Sequence, residues 1–589
     1  MIIKKISSIF GLIAIVSAPL QINALTINKT VGWHETAAVE WADVAGAALY
    51  SVTYSGEGVD NCPVDDELIR QYPDYWRVDI PGLKAGDYTI TVNAYDISNK
   101  LIETSTTLPI EVVPYVREGF AFSNGVVPGA YNLNGTPKDG ARILYITPEN
   151  VNTVTFPVII DGKGKEAEGV GLSAILKNFN KGYDKRPLII RMIGCVRNVD
   201  GLKGGTAVEL TGANFSARAT ENVTFEGVGN DATAYGFGFY TKRCKGIEIR
   251  NLAVMLFPND GIAVEYDNRN LWFHNCDFFY GMPGKDSDQK KGDGTIDMKY
   301  NSSDITVDHN HFWDSGKCTF AGGEKESDAI YFTYHHNWFD HVDSRCPRLC
   351  HASTHIYNNY FDANATMSLL STENTSAFVE ANYYRNCPSP MEINMQGTNR
   401  QRWPNGTQNG GMNKGFTNLY EGDYTLITQL DDSSDFDVYV VSDRAEKIPS
   451  TVKSLKGENI YDNFDTAPGM YLYTPDAPAD VPEIVKNRAG RMEGGDFKWD
   501  FNDSVDDKST EINQPLKDKL LAYNGQLLSI GGKVSVVSGI DNVESMSNNS
   551  EIEIYNLQGK KVATGAPYNL PIGIYIVKSS LNVKKIIVK

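Results

Sequence analysis

Between residue 25 and about residue 112, apolar and polar positions alternate in short runs broken by turn signals, as in "AVEWADVAGAALYSVTY" and "GLKAGDYTITVNAYD". A period of two marks strands with one face in a core. From about residue 115 the texture changes. "VGLSAILKNFNKG" over residues 170–182 has a helical pattern, and "RPLIIRMIGCV" reads as a buried strand. A motif then recurs: "IEIRNLAVM", "LWFHNCDFF", "ITVDHNHFW", "FTYHHNWFD", "HIYNNYFD" and "FVEANYYRN". Each is a β-rich run in which an asparagine is followed by bulky residues. The asparagines fall at 251, 275, 310, 337, 359 and 382, giving intervals of 24, 35, 27, 22 and 23. Repeats of this length without intervening helices predict a solenoid of strands stacked on strands. Asparagines stacked at a turn can bond their amides to the coils above and below. The expected class is all-β, a right-handed parallel β-helix. A large Greek-key sandwich would give no reason for Asn-aromatic at each turn.

The 35-residue interval contains "YGMPGKDSDQKKGDG", a polar, glycine-rich excursion that ends where the acidic residues begin. Extra residues in a solenoid become loops on one face, often the binding face.

The ends of the chain read differently. "MIIKKISSIFGLIAIVSAPLQINA" has two lysines, an apolar run and a small residue at Ala24, the pattern of a secretory leader cleaved after Ala24. Residues 501–537 read as a polar linker with a short helix. The segment 538–589 alternates as small-sandwich strands do, with six lysines and no acid after Glu553. The expected organisation is a leader (1–24), a β-sandwich (25–113), the solenoid (114–500), the linker and a C-terminal β unit. The chain is thus expected to be exported (extracellular, cell-surface or periplasmic), without a membrane span, and monomeric. A net charge of −18 over 589 residues argues against nonspecific nucleic-acid binding. The eight cysteines include no CxxC pair, so they read as buried thiols rather than a zinc site.

Candidate chemistry follows from register. Lys317 lies seven residues after Asn310 and Arg345 eight after Asn337, so stacked coils should set the two cations above one another. Asp297 lies thirteen before Asn310 and Asp260 fifteen before Asn275, which should make these acids neighbours. Asp293 and Asp297, four apart in "DGTIDMK", should share one face of an extended strand. Hard oxygen ligands without interleaved His or Cys suit Ca²⁺. The histidines at 335, 336 and 355 read as framework, and Cys346 and Cys350 as packing residues or a strained loop disulfide.

The blocks "DGTIDMK", "ITVDHNHF", "SGK", "SDAIYFTYHHNWF", "SRCPR" and "HIYNNYF" resemble polysaccharide lyase family 1, the pectate lyases, over roughly residues 115–500. The resemblance implies Asp260, Asp293 and Asp297 as Ca²⁺ ligands, and Lys317 holding a substrate carboxylate. It implies Arg345 as catalytic base, with Arg348 beside it in substrate binding. It also implies the substrate, polygalacturonate, cleaved by β-elimination. The chain departs from the family where Cys350 replaces an arginine, where Pro258 and Asn259 precede Asp260, and at Trp272-Phe273-His274-Asn275, which lacks an aspartate. The N-terminal placement of Trp41, Tyr50 and Tyr88 resembles a fibronectin type III module. "YNLQGKKV" and "LPIGIYIVK" resemble C-terminal secretion and sorting domains of exported Bacteroidota proteins. Competing readings are a non-catalytic pectin-binding β-helix, a pectin lyase, which would lack the calcium carboxylates, and a polygalacturonase, whose NTD, GHG and RIK blocks the chain lacks.

Overall fold

The structure is a computed structural model that describes residues 23–282, 290–323, 326, 329–402 and 407–534, with strands at 553–556, 561–564, 573–578 and 583–588. The leader expected over residues 1–24 lies almost wholly outside the described residues, as does the middle of the glycine-rich excursion.

Three long parallel sheets of eleven, nine and eight strands dominate the chain. Except at the last strand of the eleven-stranded sheet, each strand pairs with the one three places later in sequence, so one coil contributes a strand to every sheet. That is the parallel β-helix expected from the repeat. Its core is continuous, running from Leu144 to Val438 and including a file of rings at Phe278, Phe312, Phe339, Phe361 and Tyr384. Successive rings stack 4.4–5.2 Å apart, each coil covering the apolar surface of the one before.

The asparagine ladder exists, with a correction to its membership. Asn310, Asn337, Asn359, Asn382 and Asn418 form a file, buried as far as Asn382, in which each side-chain oxygen from Asn337 onward accepts from the backbone and side-chain nitrogens of the asparagine before it. Asn251 and Asn275 belong instead to the position one residue earlier, where the backbone turns left-handed. Pairing of His274 with Asp308 places Asn275 beside His309, and Cys276 occupies the ladder position. The long interval therefore mixed two turn positions.

Helix α1 (Leu172–Phe179) buries Leu172, Ile175, Leu176 and Phe179 in the solenoid core. Residues 23–112 form two sheets, antiparallel except where Asn23–Ala24 pairs in parallel with Glu103–Thr104, around a core that includes Trp41, Tyr50, Trp76 and Tyr88. The segment read as a linker contains the helices Asp503–Asp506 and Gln514–Ala522, and Ser529–Ile530 pairs with Arg70–Gln71 at the edge of one N-terminal sheet. No helix among the described residues is long and apolar enough to cross a membrane. All eight cysteines are free thiols, seven of them buried, so Cys346 and Cys350 are packing residues.

Candidate active site

The eight-stranded sheet carries the candidate residues, and its strands are numbered here in chain order. They are β1 (Ala207–Thr211), β2 (Gly238–Lys242), β3 (Ile262–Glu265), β4 (Ile296–Lys299), β5 (Thr319–Gly322), β6 (Arg348–Cys350), β7 (Leu369–Ser371) and β8 (Met391–Ile393). Inward positions such as Leu210, Val264, Met298 and Ala321 fill the core. Alternate positions therefore face outward.

A small cleft on that outer face is lined by Asp293, Gly294, Asp297, Lys317, Thr319, Phe320 and Arg345. Four residues expected from the sequence thus meet in one place. Lys317 bridges Ser344 in the neighbouring coil, so Arg345 sits one step further along, matching the seven- and eight-residue offsets. Arg345 has a left-handed backbone (φ 65°), and its carbonyl accepts from Thr319 N at 2.8 Å. A conformation costly for a side-chain-bearing residue is held here by bonding between coils.

The carboxylates need one correction. β4 begins at Ile296, so Asp297 lies on the strand while Asp293 lies in the turn before it; they reach the same cleft without sharing a strand face. Asp260 precedes β3, and Gly261 N donates to Gly294 O, which sets Asp260 beside the Asp293–Asp297 turn. Burial, and then repulsion from Asp297, raises the Asp260 carboxyl to about 8. Burial also raises Asp297, against the pull of Lys299. Among the described residues, the groups of three whose ligand atoms approach within 4.8 Å are Asp308, His309 and His335, and His341, Asp503 and Asp507. The three aspartates do not converge to that distance. Their donor set still fits a hard cation: carboxylate oxygens crowded enough to repel each other, open on one side to a cleft.

Four contributors escaped the sequence reading. Lys299 places its ammonium 2.7 Å from Asp297. It stands two residues further along the strand, a spacing that signals a shared face. Phe320 sits between Asp297 and Arg348 in register, with the Arg348 guanidinium 5.0 Å from its ring. Gly294 leaves room for the Asp297 carboxylate, since a Cβ there would stand 2.3 Å from Asp297 Oδ1. Lys291, buried, bonds Asp314 and Asp343 at 2.6 Å each and pins the start of the Asp293 turn. Those partners lie 23 and 52 residues away, so no local pattern announces them. Arg348 contacts Gln408 outside the cleft lining.

His335, His336 and His355 lie on or beside the eleven-stranded sheet rather than in this cleft. His274, Asp308, His335 and Tyr357 form a register row on the eleven-stranded sheet. That face is covered by residues 118–121 and 471–476: Tyr357 donates to Glu118, His336 bonds Asp476 and His355 bonds Tyr471. They are framework, as expected.

Residues 177–452, a little under half of the chain, match the family model described as "Pectate lyase". Among curated relatives, a pectate trisaccharide-lyase of Bacillus licheniformis is 27% identical over 227 residues, 38% of this chain and 62% of the relative. Pectate lyase 3 of Pectobacterium atrosepticum is 24% identical over 279 residues, 46% of this chain and 70% of the relative. The chain thus spans about three fifths of the length of the first of these relatives. A solved pectate lyase from Bacillus sp. N165, in complex with trigalacturonate, is 21% identical and covers 64% of this chain and 99% of its own, with a TM-score of 0.44.

Proposed function

We propose that this protein is an exported, calcium-dependent pectate lyase that cleaves α-1,4-linked polygalacturonate by β-elimination. The observation that carries the reading is the meeting of Lys317 and Arg345 with Asp293 and Asp297 in one cleft of the segment that matches the pectate lyase family model. An acidic protein holding an acidic polymer needs positive charge at the contact. Lys317 and Arg345 supply part of it.

The proton on C5 of a uronate is weakly acidic, and its removal builds negative charge toward the neighbouring carboxylate. Lys317 would hold that carboxylate and stabilise the charge where it develops. Arg345 would take the C5 proton; the C4–O bond then breaks, a C4=C5 double bond forms, and the leaving oxygen is protonated from solvent. A guanidinium normally stays charged, so Arg345 must lose part of its proton affinity in the loaded site. Lys317 pushes in that direction, whereas Asp297 pushes the other way. Asp260, Asp293 and Asp297 would hold Ca²⁺, which supplies charge neutralisation for the substrate carboxylate and cancels the Asp297 bias. The 4,5-unsaturated oligogalacturonate is the expected product. In this reading residues 25–113 are a fibronectin type III-like module and 538–589 a secretion or sorting unit, both outside the chemistry.

Arg345→Ala tests the role of the base. General-base removal should lower kcat on polygalacturonate on the order of 10³-fold while KM moves little. Retention of more than a tenth of the parent kcat would remove Arg345 from that role.

A further inference from the structure

Upstream of the cleft the outer face of the sheet continues through β3, β2 and β1, and strand register sorts its residues into rows. One row reads Glu209, Tyr240, Ala263 and Asp297; the next reads Thr211, Lys242, Glu265 and Lys299. Two tyrosine rings on this face are paired with cations. Lys203 sets its ammonium 3.7 Å from the Tyr240 ring, and Lys242 sets its own 4.5 Å from Tyr266. Tyr266 is exposed and stacks on Tyr300 with centroids 4.5 Å apart, extending an aromatic surface toward β4. Beyond β1 the face opens into a cavity of about 710 Å³ between α1 and residues 211–218. Lys177, Lys181 and Arg218 line it together with Asn180 and Tyr183.

The charge balance here is opposite to that of the whole chain. Lys177, Lys181, Lys203, Arg218 and Lys242 face two acids, Glu209 and Glu265, although the protein carries a net charge of −18. Three strand spacings of about 4.8 Å separate β1 from β4, so cavity and cleft lie about 14 Å apart, a span of a few sugar units. Rings with an apolar face and a polar edge suit sugars, and amines above them suit carboxylates. We propose that this cation–tyrosine shelf and its cavity form a second binding region for an acidic polysaccharide, engaging the length of polyuronate that extends past the cleft. The inference rests on reading the cleft as a polyuronate site. The shelf holds chain rather than reacting atoms, so it acts on long substrates and not on short ones.

The test compares polygalacturonate with trigalacturonate for the parent and the double variant Lys177→Glu/Lys181→Glu, whose two side chains line the cavity at the end of α1. Reversing the exposed charge of Lys177 and the half-buried one of Lys181 should raise the polymer KM about five-fold, leaving kcat and both constants for trigalacturonate unchanged. Lys203→Gln, on the loop before β1, should move the polymer KM the same way. A polymer KM within about two-fold of the parent in both variants, or an equal rise on trigalacturonate, overturns the proposal. If the parent cleaves neither substrate, the reading of the cleft fails instead, and the shelf is judged by migration through a gel containing polygalacturonate with chelator. Retardation of the parent but not the double variant upholds the shelf; equal migration overturns it.

Discussion

Asp260 and Lys299 show how the site depends on charges that single residues cannot balance. The Asp260 carboxyl, raised to about 8 by burial and by Asp297, holds its proton at neutral pH. If Asp260 is a Ca²⁺ ligand, as proposed, the ion has to displace that proton, so Ca²⁺ affinity should increase as pH rises from 6 to 9, with proton release at the lower end. Calorimetry in buffers of different ionisation enthalpy would measure both; pH-independent binding would show that Asp260 is not a ligand. Gly294→Ala is a sharper probe of geometry. Its Cβ would meet Asp297 Oδ1 at 2.3 Å, so the carboxylate must swing out of the cleft. The expected result is a Ca²⁺ affinity about ten-fold weaker with the thermal midpoint nearly unchanged, since only a partly exposed side chain is displaced. At this scale the sequence exposed the charged residues, because charge is visible in a string of letters. It hid Gly294, whose importance is the absence of an atom, and Lys291, whose partners arrive from other coils.

At the scale of elements, the repeat was legible because every coil restates one pattern: a strand, an asparagine, then bulky residues. Its register was less so. Asn275 and Asn310 look alike in the sequence, yet one takes the left-handed turn position and the other enters the core. The difference lies in hydrogen bonds to the next coil, which spacing cannot display. The ladder makes a direct prediction. Asn337 bonds Val307 O at 2.8 Å and Asn359 Oδ1 at 2.9 Å, and accepts from Asn310. Asn337→Ala would leave several buried polar groups unpaired, costing about 3 kcal/mol by denaturant unfolding. A loss below about 1 kcal/mol would mean that the amide file is not a source of stability. β4 likewise explains a misplaced strand face: the turn holding Asp293 ends only at Ile296, where pairing with Ile262 begins.

Across the whole molecule, the solenoid presents one sheet to the candidate cleft and buries another beneath its own terminal segments, and most histidines belong to the second surface. His34, from the N-terminal sheets, stacks on Tyr115 and bonds Pro114 O at 2.9 Å. Burial lowers its value to about 4. A base lowered on folding binds its proton mainly in the unfolded chain, so this histidine's contribution is complete above its unfolded value near 6.5. It is lost progressively as pH falls toward 4. Relative to His34→Gln, the parent should therefore lose about 2 kcal/mol between pH 7 and pH 5. Denaturant titrations at the two pH values give this difference, and parallel losses in both proteins would contradict it. The fold class was readable from periodicity alone; the cover on the histidine face was not, because residues 118–121 and 471–476 are hundreds of residues apart in the chain.

Product analysis tests the proposed bond chemistry in the cleft most directly. Incubated with polygalacturonate and Ca²⁺, the protein should release oligogalacturonates with the ultraviolet absorbance of a 4,5 double bond, and chelation should stop their appearance. New reducing ends without that absorbance would identify hydrolysis, and no cleavage in either condition would leave a binding protein; either result contradicts the account.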